Sequence, residues 1–164
     1  MKYFIAGFVI GLILLILFTN LSLSSKSKNP IIFNHKKHQK AAIECNICHP
    51  FFKEEKFAGL PNLLTCLECH KDSITNSPEE EKIRKFSKNG VEIHWERVYQ
   101  QPDHVFFSHR RHVFIAKIDC KNCHGPIEEY EKPITRPWQK MDMKWCMDCH
   151  TKQKASNDCL ACHV

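Results

Sequence analysis

The chain has 164 residues, 26% charged and 43% hydrophobic, a length that suits one or two small domains. Five glycines and an ordinary charge content exclude a low-complexity tail, whereas ten cysteines and eleven histidines lie far above common usage. A formal charge of +6 would by itself suggest an acidic partner, nucleic acid included.

The first element is "MKYFIAGFVIGLILLILFTNLSLSSKSK", in which residues 3–18 carry no charge and none follows until Lys26. About 20 apolar residues span a bilayer as a helix. Residues 3–23 meet that length and predict a transmembrane anchor within 1–25. The alternative is a cleaved signal peptide. Against it, the run is long, no A-x-A site follows, and Ser22-Leu-Ser24 is only a weak substitute. With no cysteine near the segment, a lipoprotein anchor is excluded. Either reading places the rest of the chain outside the cytoplasm.

Beyond the anchor the cysteines fall in five pairs with two intervening residues: Cys45/Cys48, Cys66/Cys69, Cys120/Cys123, Cys146/Cys149 and Cys159/Cys162. Each second cysteine is followed by histidine: His49, His70, His124, His150 and His163. Disulfides across such a gap are tight and redox-labile. Zinc ribbons use paired C-x-x-C but need no histidine straight afterwards. C-x-x-C-H is the attachment signature of c-type haem. Two thiols form thioethers with the two vinyl groups, and the adjacent histidine ligates the iron. Five motifs imply five covalent haems c, whose macrocycles would supply much of the core. Each haem brings two propionates, so five would more than offset the polypeptide's +6. The Lys/Arg excess then reads as propionate partners plus a juxtamembrane group (Lys26, Lys28, Lys36, Lys37), and nucleic-acid binding drops out.

The motifs also show a repeat. Phe33-x-His35-x-x-His38 and Phe107-x-His109-x-x-His112 lie 74 residues apart, and the motifs that follow, at Cys45 and Cys120, lie 75 apart. The chain therefore reads as a two-haem unit (26–76), a helical connector (77–104) and a three-haem unit (105–164). In the connector, Ser77 is an N-cap, Pro78 suits the first helical position, Glu80 completes a capping box and Gly90 is a stop, predicting a helix over 78–88. The predicted fold is mainly α with extensive irregular loops, wrapped around covalent haems, with one N-terminal transmembrane helix. Strand signals are weak.

Five irons need up to five distal ligands, and six histidines lie outside the motifs. A second histidine makes a haem low-spin and suited to electron transfer at low potential. His35, His38, His109, His112 and His104 are the distal candidates; His94 and Met143 compete for the last site. A methionine there would raise that haem's potential. Met141 and Met147 read as packing. Phe33, Phe107, Trp95, Trp138 and Trp145 are expected against porphyrin faces or edges.

F-x-H-x-x-H ahead of C-x-x-C-H resembles class III cytochromes c, small multihaem bis-histidine proteins. The runs "WERVYQQPDHVFFSHRRHVFIAKIDCKNCHGPI", "MDMKWCMDCH" and "FNHKKH…CNICH…GLPNLLTCLECHK" resemble the membrane-anchored multihaem subunit of alternative complex III and related quinone reductase complexes, over roughly residues 31–163. The resemblance implies an electron-wire subunit at the outer face of the bacterial inner membrane. Its partners would be iron–sulfur and quinone-binding membrane subunits on one side and a soluble periplasmic cytochrome or oxidase on the other. It also implies that His35 serves the Cys45 haem and His109 the Cys120 haem, while His38 and His112 reach neighbouring haems. Two departures, Tyr99 in place of a histidine and Lys144 in place of a glycine, leave the fifth distal ligand open among His94, His104 and Met143. One alternative is a stand-alone membrane-anchored quinol dehydrogenase feeding a periplasmic reductase, which the duplicated histidine pair does not match. Another is a nitrite- or hydroxylamine-converting enzyme, which needs an open iron.

Overall fold

Short helices, several of them started by a side-chain cap, are strung on long irregular loops in the computed structural model, which describes residues 11–12 and 29–163. In chain order they are α1 (His35–Lys40), α2 (Cys45–Cys48), α3 (Leu63–His70), α4 (Pro78–Lys88), a π-helical turn (Arg110–Ile115), α5 (Lys121–His124), a 3-10 turn (Ile127–Glu129), α6 (Met143–Gln153) and α7 (Cys159–Cys162). The sole β pairing among the described residues is an isolated bridge, Val105 with His163. This is the mainly helical, irregular architecture expected. The predicted anchor lies outside the described residues except for Gly11 and Leu12; among those described, no helix is long and apolar enough to cross a membrane.

Local chemistry explains the starts. Asn34 accepts from Lys37 N, Asn62 from Thr65 N, Asp142 from Trp145 N and Asp158 from Leu160 N, satisfying amides that a helix leaves open. Helix α4 covers the predicted 78–88, with Pro78 in its first turn and Gly90 at φ 62° beyond its end. The capping box differs from expectation. Ser77 accepts from Glu79 N, but Glu80 turns away from the cap and accepts from Ile74 N, Thr75 N and Thr75 Oγ1. The preceding loop offers three donors where the box offers one.

The apolar core is small. Ile31, Leu63, Ile83 and Ile93 are buried, with Cys66, Leu67, Phe86 and Trp95 against them, where α3 packs on α4. Trp95 Nε1 donates to Pro61 O at 2.7 Å. Among the described residues of the second half, 105–163, no hydrophobic side chain is buried. A chain of this length would ordinarily close a larger core.

The two halves exchange main-chain hydrogen bonds. Lys36 N, on α1, donates to Tyr130 O at 3.1 Å; Arg110 N, on the π turn, donates to Glu55 O at 3.1 Å and His109 N to Lys56 O at 3.0 Å. Arg110 follows Lys36 by 74 residues and Tyr130 follows Glu55 by 75, the same offsets as the sequence repeat. Each half's histidine segment is thus seated on the loop after the other half's first cysteine motif. Lys36, read from sequence as juxtamembrane, instead pairs with Glu131 at 2.9 Å and Glu129 at 3.9 Å.

Candidate haem sites

Each C-x-x-C-H motif occupies a helical turn, where i, i+3 and i+4 share a face, so two thiols and an imidazole point the same way. In the three motifs on short turns, His49 N, His124 N and His163 N each donate to the carbonyl of the first cysteine at 2.9 Å. The other two are embedded in α3 and α6. All ten cysteines are free. Among the described residues, no three or more His, Cys, Asp or Glu side chains converge on one point as a zinc site requires.

Four of the motif histidines instead face single histidines. The rings of His109 and His124 are parallel within 5°, with centres 6.3 Å apart. His112 and His150 lie 6.1 Å apart at 29°, His38 and His70 6.1 Å at 65°, and His104 and His163 5.6 Å at 16°. Two imidazoles on opposite sides of one metal have centres about 6.2 Å apart, from two metal–nitrogen bonds of about 2.0 Å plus the span from nitrogen to ring centre on each side. The observed separations fit that arrangement. The remaining motif histidine, His49, lies near His35: burial first, then the charges of His49 and His38, push His35 down to about 4, and the charge of His49 bears on His109 and His124 as well. Burial likewise pushes His124 to about 4 and lowers His109. These groups are neutral near pH 7, the form that binds metal.

In five of the histidines the second nitrogen is fixed, whereas Nδ1 of His35 and of His70 is buried without a hydrogen bond. His38 Nδ1 lies 2.8 Å from Asn34 O, His49 Nδ1 2.7 Å from Gly59 O, His109 Nδ1 2.7 Å from Lys56 O, His112 Nδ1 2.9 Å from Ser108 O and His150 Nδ1 2.6 Å from Ser156 O. A carbonyl only accepts, so Nδ1 carries the proton and Nε2 keeps its lone pair for iron. Phe33 and Phe107 repeat one geometry. Phe33 stacks on His38 at 4.4 Å and meets His35 edge-on at 4.7 Å; Phe107 stacks on His112 at 4.6 Å and meets His109 edge-on at 5.0 Å.

Neighbouring thiols report which motifs adjoin. Burial pushes the Cys66 thiol up to about 11, with Cys48 adding to the rise; Cys69 in turn acts on Cys48. After burial, Cys45 is the main influence raising Cys120, Cys149 and Cys146 raise Cys123, and Cys162 raises Cys146. Thioethers do not titrate, so in the mature protein these influences matter only as a record of proximity.

The rival ligands are not brought to a site. His94 is exposed and meets no other histidine ring, and Met143 is 61% exposed at the start of α6. Sequence reasoning missed two contacts. Tyr99 meets His124 edge-on at 4.4 Å, its hydroxyl accepting from Trp138 N. Glu80 lies 3.5 Å from His70 Nδ1. Trp138 covers Gly125, whose φ of 73° and lack of a Cβ let the indole close on the motif's end.

Paired motif and non-motif histidines, free thiols on one face of each turn and a sparse apolar core define a haem-binding electron carrier of the c type. Residues 19–90 match the class III cytochrome C family, and residues 105–164 match cytochrome c7 and related cytochrome c. The chain is 34% identical over 188 aligned positions to the menaquinone reductase, multiheme cytochrome c subunit, of Nitratidesulfovibrio vulgaris, covering 96% of this chain and 89% of that protein. The chain belongs to the class III-type multihaem cytochromes c. It carries electrons on covalently bound haem c and does not itself catalyse bond chemistry.

Proposed function

We propose that the chain is a pentahaem electron-transfer subunit of a menaquinone-linked oxidoreductase, anchored in the inner membrane by residues 3–23 with its haem domain in the periplasm. Its partners are iron–sulfur and quinone-binding membrane subunits and a soluble periplasmic cytochrome or oxidase. The observation that carries this reading is the one-to-one facing of motif and non-motif histidines. The facing pairs are His70 with His38, His124 with His109, His150 with His112, and His163 with His104, and the proposal assigns His35 to His49 as the fifth. Iron held between two imidazoles exchanges one electron without opening a site for substrate.

The residues' own work is spacing and orientation. Each F-x-H-x-x-H segment places two imidazoles three positions apart toward two different motifs, and so fixes two haem sites relative to each other. Hydrogen bonds between the halves bring the Cys45 and Cys120 motifs together. The Cys159 motif is tied by Phe106 N donating to Cys162 O at 2.7 Å and by the Val105–His163 bridge. These relations support the order Cys66, Cys45, Cys120, Cys146, Cys159 for the five sites, with unit boundaries at 26–76, 77–104 and 105–164. The relative's name favours electrons passing from the soluble donor toward menaquinone.

The test is mass spectrometry and visible titration of the purified full-length protein, followed by menaquinol or menaquinone turnover with and without the membrane subunits. Five covalent low-spin haems and turnover only in the complex are expected. Quinol oxidation by the isolated protein would favour the stand-alone dehydrogenase, and fewer than five haems would end the pentahaem reading.

A further inference from the structure

His70 is held differently from the motif histidines His49 and His150 and from three of the non-motif histidines. Where His38, His49, His109, His112 and His150 turn Nδ1 to neutral main-chain carbonyls, His70 turns Nδ1 to the carboxylate of Glu80, at 3.5 Å. This buried nitrogen makes no hydrogen bond, so the carboxylate faces it as a charge at ion-pair distance. Glu80 is itself only 4% exposed, and it is pinned by Ile74 N at 2.6 Å, Thr75 N at 2.9 Å, Thr75 Oγ1 at 2.6 Å and Arg84 Nη1 at 3.2 Å. It lies on α4, in the first turn after the Ser77 cap, where α4 packs on the motif helix α3.

We propose that Glu80 is a positioning residue for the Cys66/Cys69 haem, presenting a fixed negative charge behind His70 and lowering the potential of that one haem. The inference rests on the reading of His70 as an iron ligand. A carboxylate behind a ligating imidazole orients the ring and raises its basicity, which favours the more positive, ferric iron. Three hydrogen-bond donors from Ile74 and Thr75 and the Arg84 guanidinium converge on this carboxylate, an arrangement that favours its charged form. Its burial keeps water from screening the charge as it would at the surface. Arg84, one turn along α4, sits on the same carboxylate and partly offsets it. The two side chains therefore act on the same haem with opposite sign.

The experiment uses the full-length holoprotein, with individual haem potentials followed by NMR and EPR during a redox titration. E80Q keeps the shape and the acceptor toward Thr75 but removes the charge. One haem is expected to shift its ferric–ferrous balance about tenfold toward ferrous, about 59 mV for a one-electron couple, with the other four in place. R84Q should move the same haem the opposite way. Should E80Q fail to fold, R84Q and E80D still decide the matter: E80D, keeping the charge, should stay near wild type. Five low-spin haems with all potentials unchanged in E80Q and R84Q would overturn the inference, and so would an equal shift of all five. Loss of one haem in the wild-type count, or an H70A protein with every haem still six-coordinate, would instead remove the parent reading.

Discussion

The fifth site gives the sharpest test of the ligand set. From sequence, His94, His104 and Met143 compete for it; in the structure only His104 faces a motif histidine, with ring centres 5.6 Å apart and planes within 16°. That is about 0.6 Å short of the separation set by two metal–nitrogen bonds, a difference a small ring translation covers. His104 is exposed and belongs to no helix, so removing it should leave the fold within about 0.5 kcal/mol of wild type. The perturbation is H104A in the full-length holoprotein. Its iron keeps His163 and loses the second imidazole, so one haem in five should become high-spin. Quantitative ferric EPR with the visible spectrum reads this directly, and H94A and M143A should stay wholly low-spin. H104M should restore a six-coordinate iron at a higher potential. A wholly low-spin H104A protein, or a high-spin fraction in M143A, would refute the assignment.

Three further substitutions probe what holds the sites. In G125A a Cβ would lie 2.6–2.7 Å from the Trp138 indole at a φ of 73°, so the variant should lose roughly 1–3 kcal/mol by thermal unfolding, with W138A relieving the steric part. I83A empties part of the only buried apolar cluster among the described residues and should cost roughly 2–4 kcal/mol in denaturant titration. N34A removes the cap of α1, which carries both His35 and His38; a loss of about 1 kcal/mol is expected, with faster exchange of the Lys37 amide by NMR.

What was legible in the sequence is what covalent chemistry and local hydrogen bonding dictate. Thioether attachment leaves no freedom in C-x-x-C-H, so all five turns could be read directly, and Ser77, Pro78 and Gly90 bounded α4 because caps act within a few residues. Glu80 shows where local reading stops. At its position a capping box is the nearest satisfaction, yet Ile74, Thr75 and Arg84 offer more donors, and His70 lies behind them on another helix. The candidate for the fifth distal ligand was illegible for a related reason. His94, His104 and Met143 are alike in being outside the motifs, and only the pairing of 105–106 with 162–163 brings His104 to His163.

The repeat offset carries a structural consequence that neither half shows alone. If each two-haem unit were self-contained, the H-x-x-H segment of one would be oriented by its own loops. Instead the Nδ1 of His109 is fixed by Lys56 O of the first half, and Lys36 N, beside His35, is fixed by Tyr130 O of the second. The His109 imidazole is thus oriented across the duplication and the backbone beside His35 is seated across it, while His38 and His112 are oriented by carbonyls four residues back in their own segments. On the proposed ligand pairs, the Cys45 and Cys120 sites would draw on both halves and the other sites on one. Such an exchange fixes each histidine segment against the loop of the other half. It also explains why so small an apolar core suffices: at the seam, main-chain hydrogen bonds and the groups they orient do the joining that buried side chains do elsewhere.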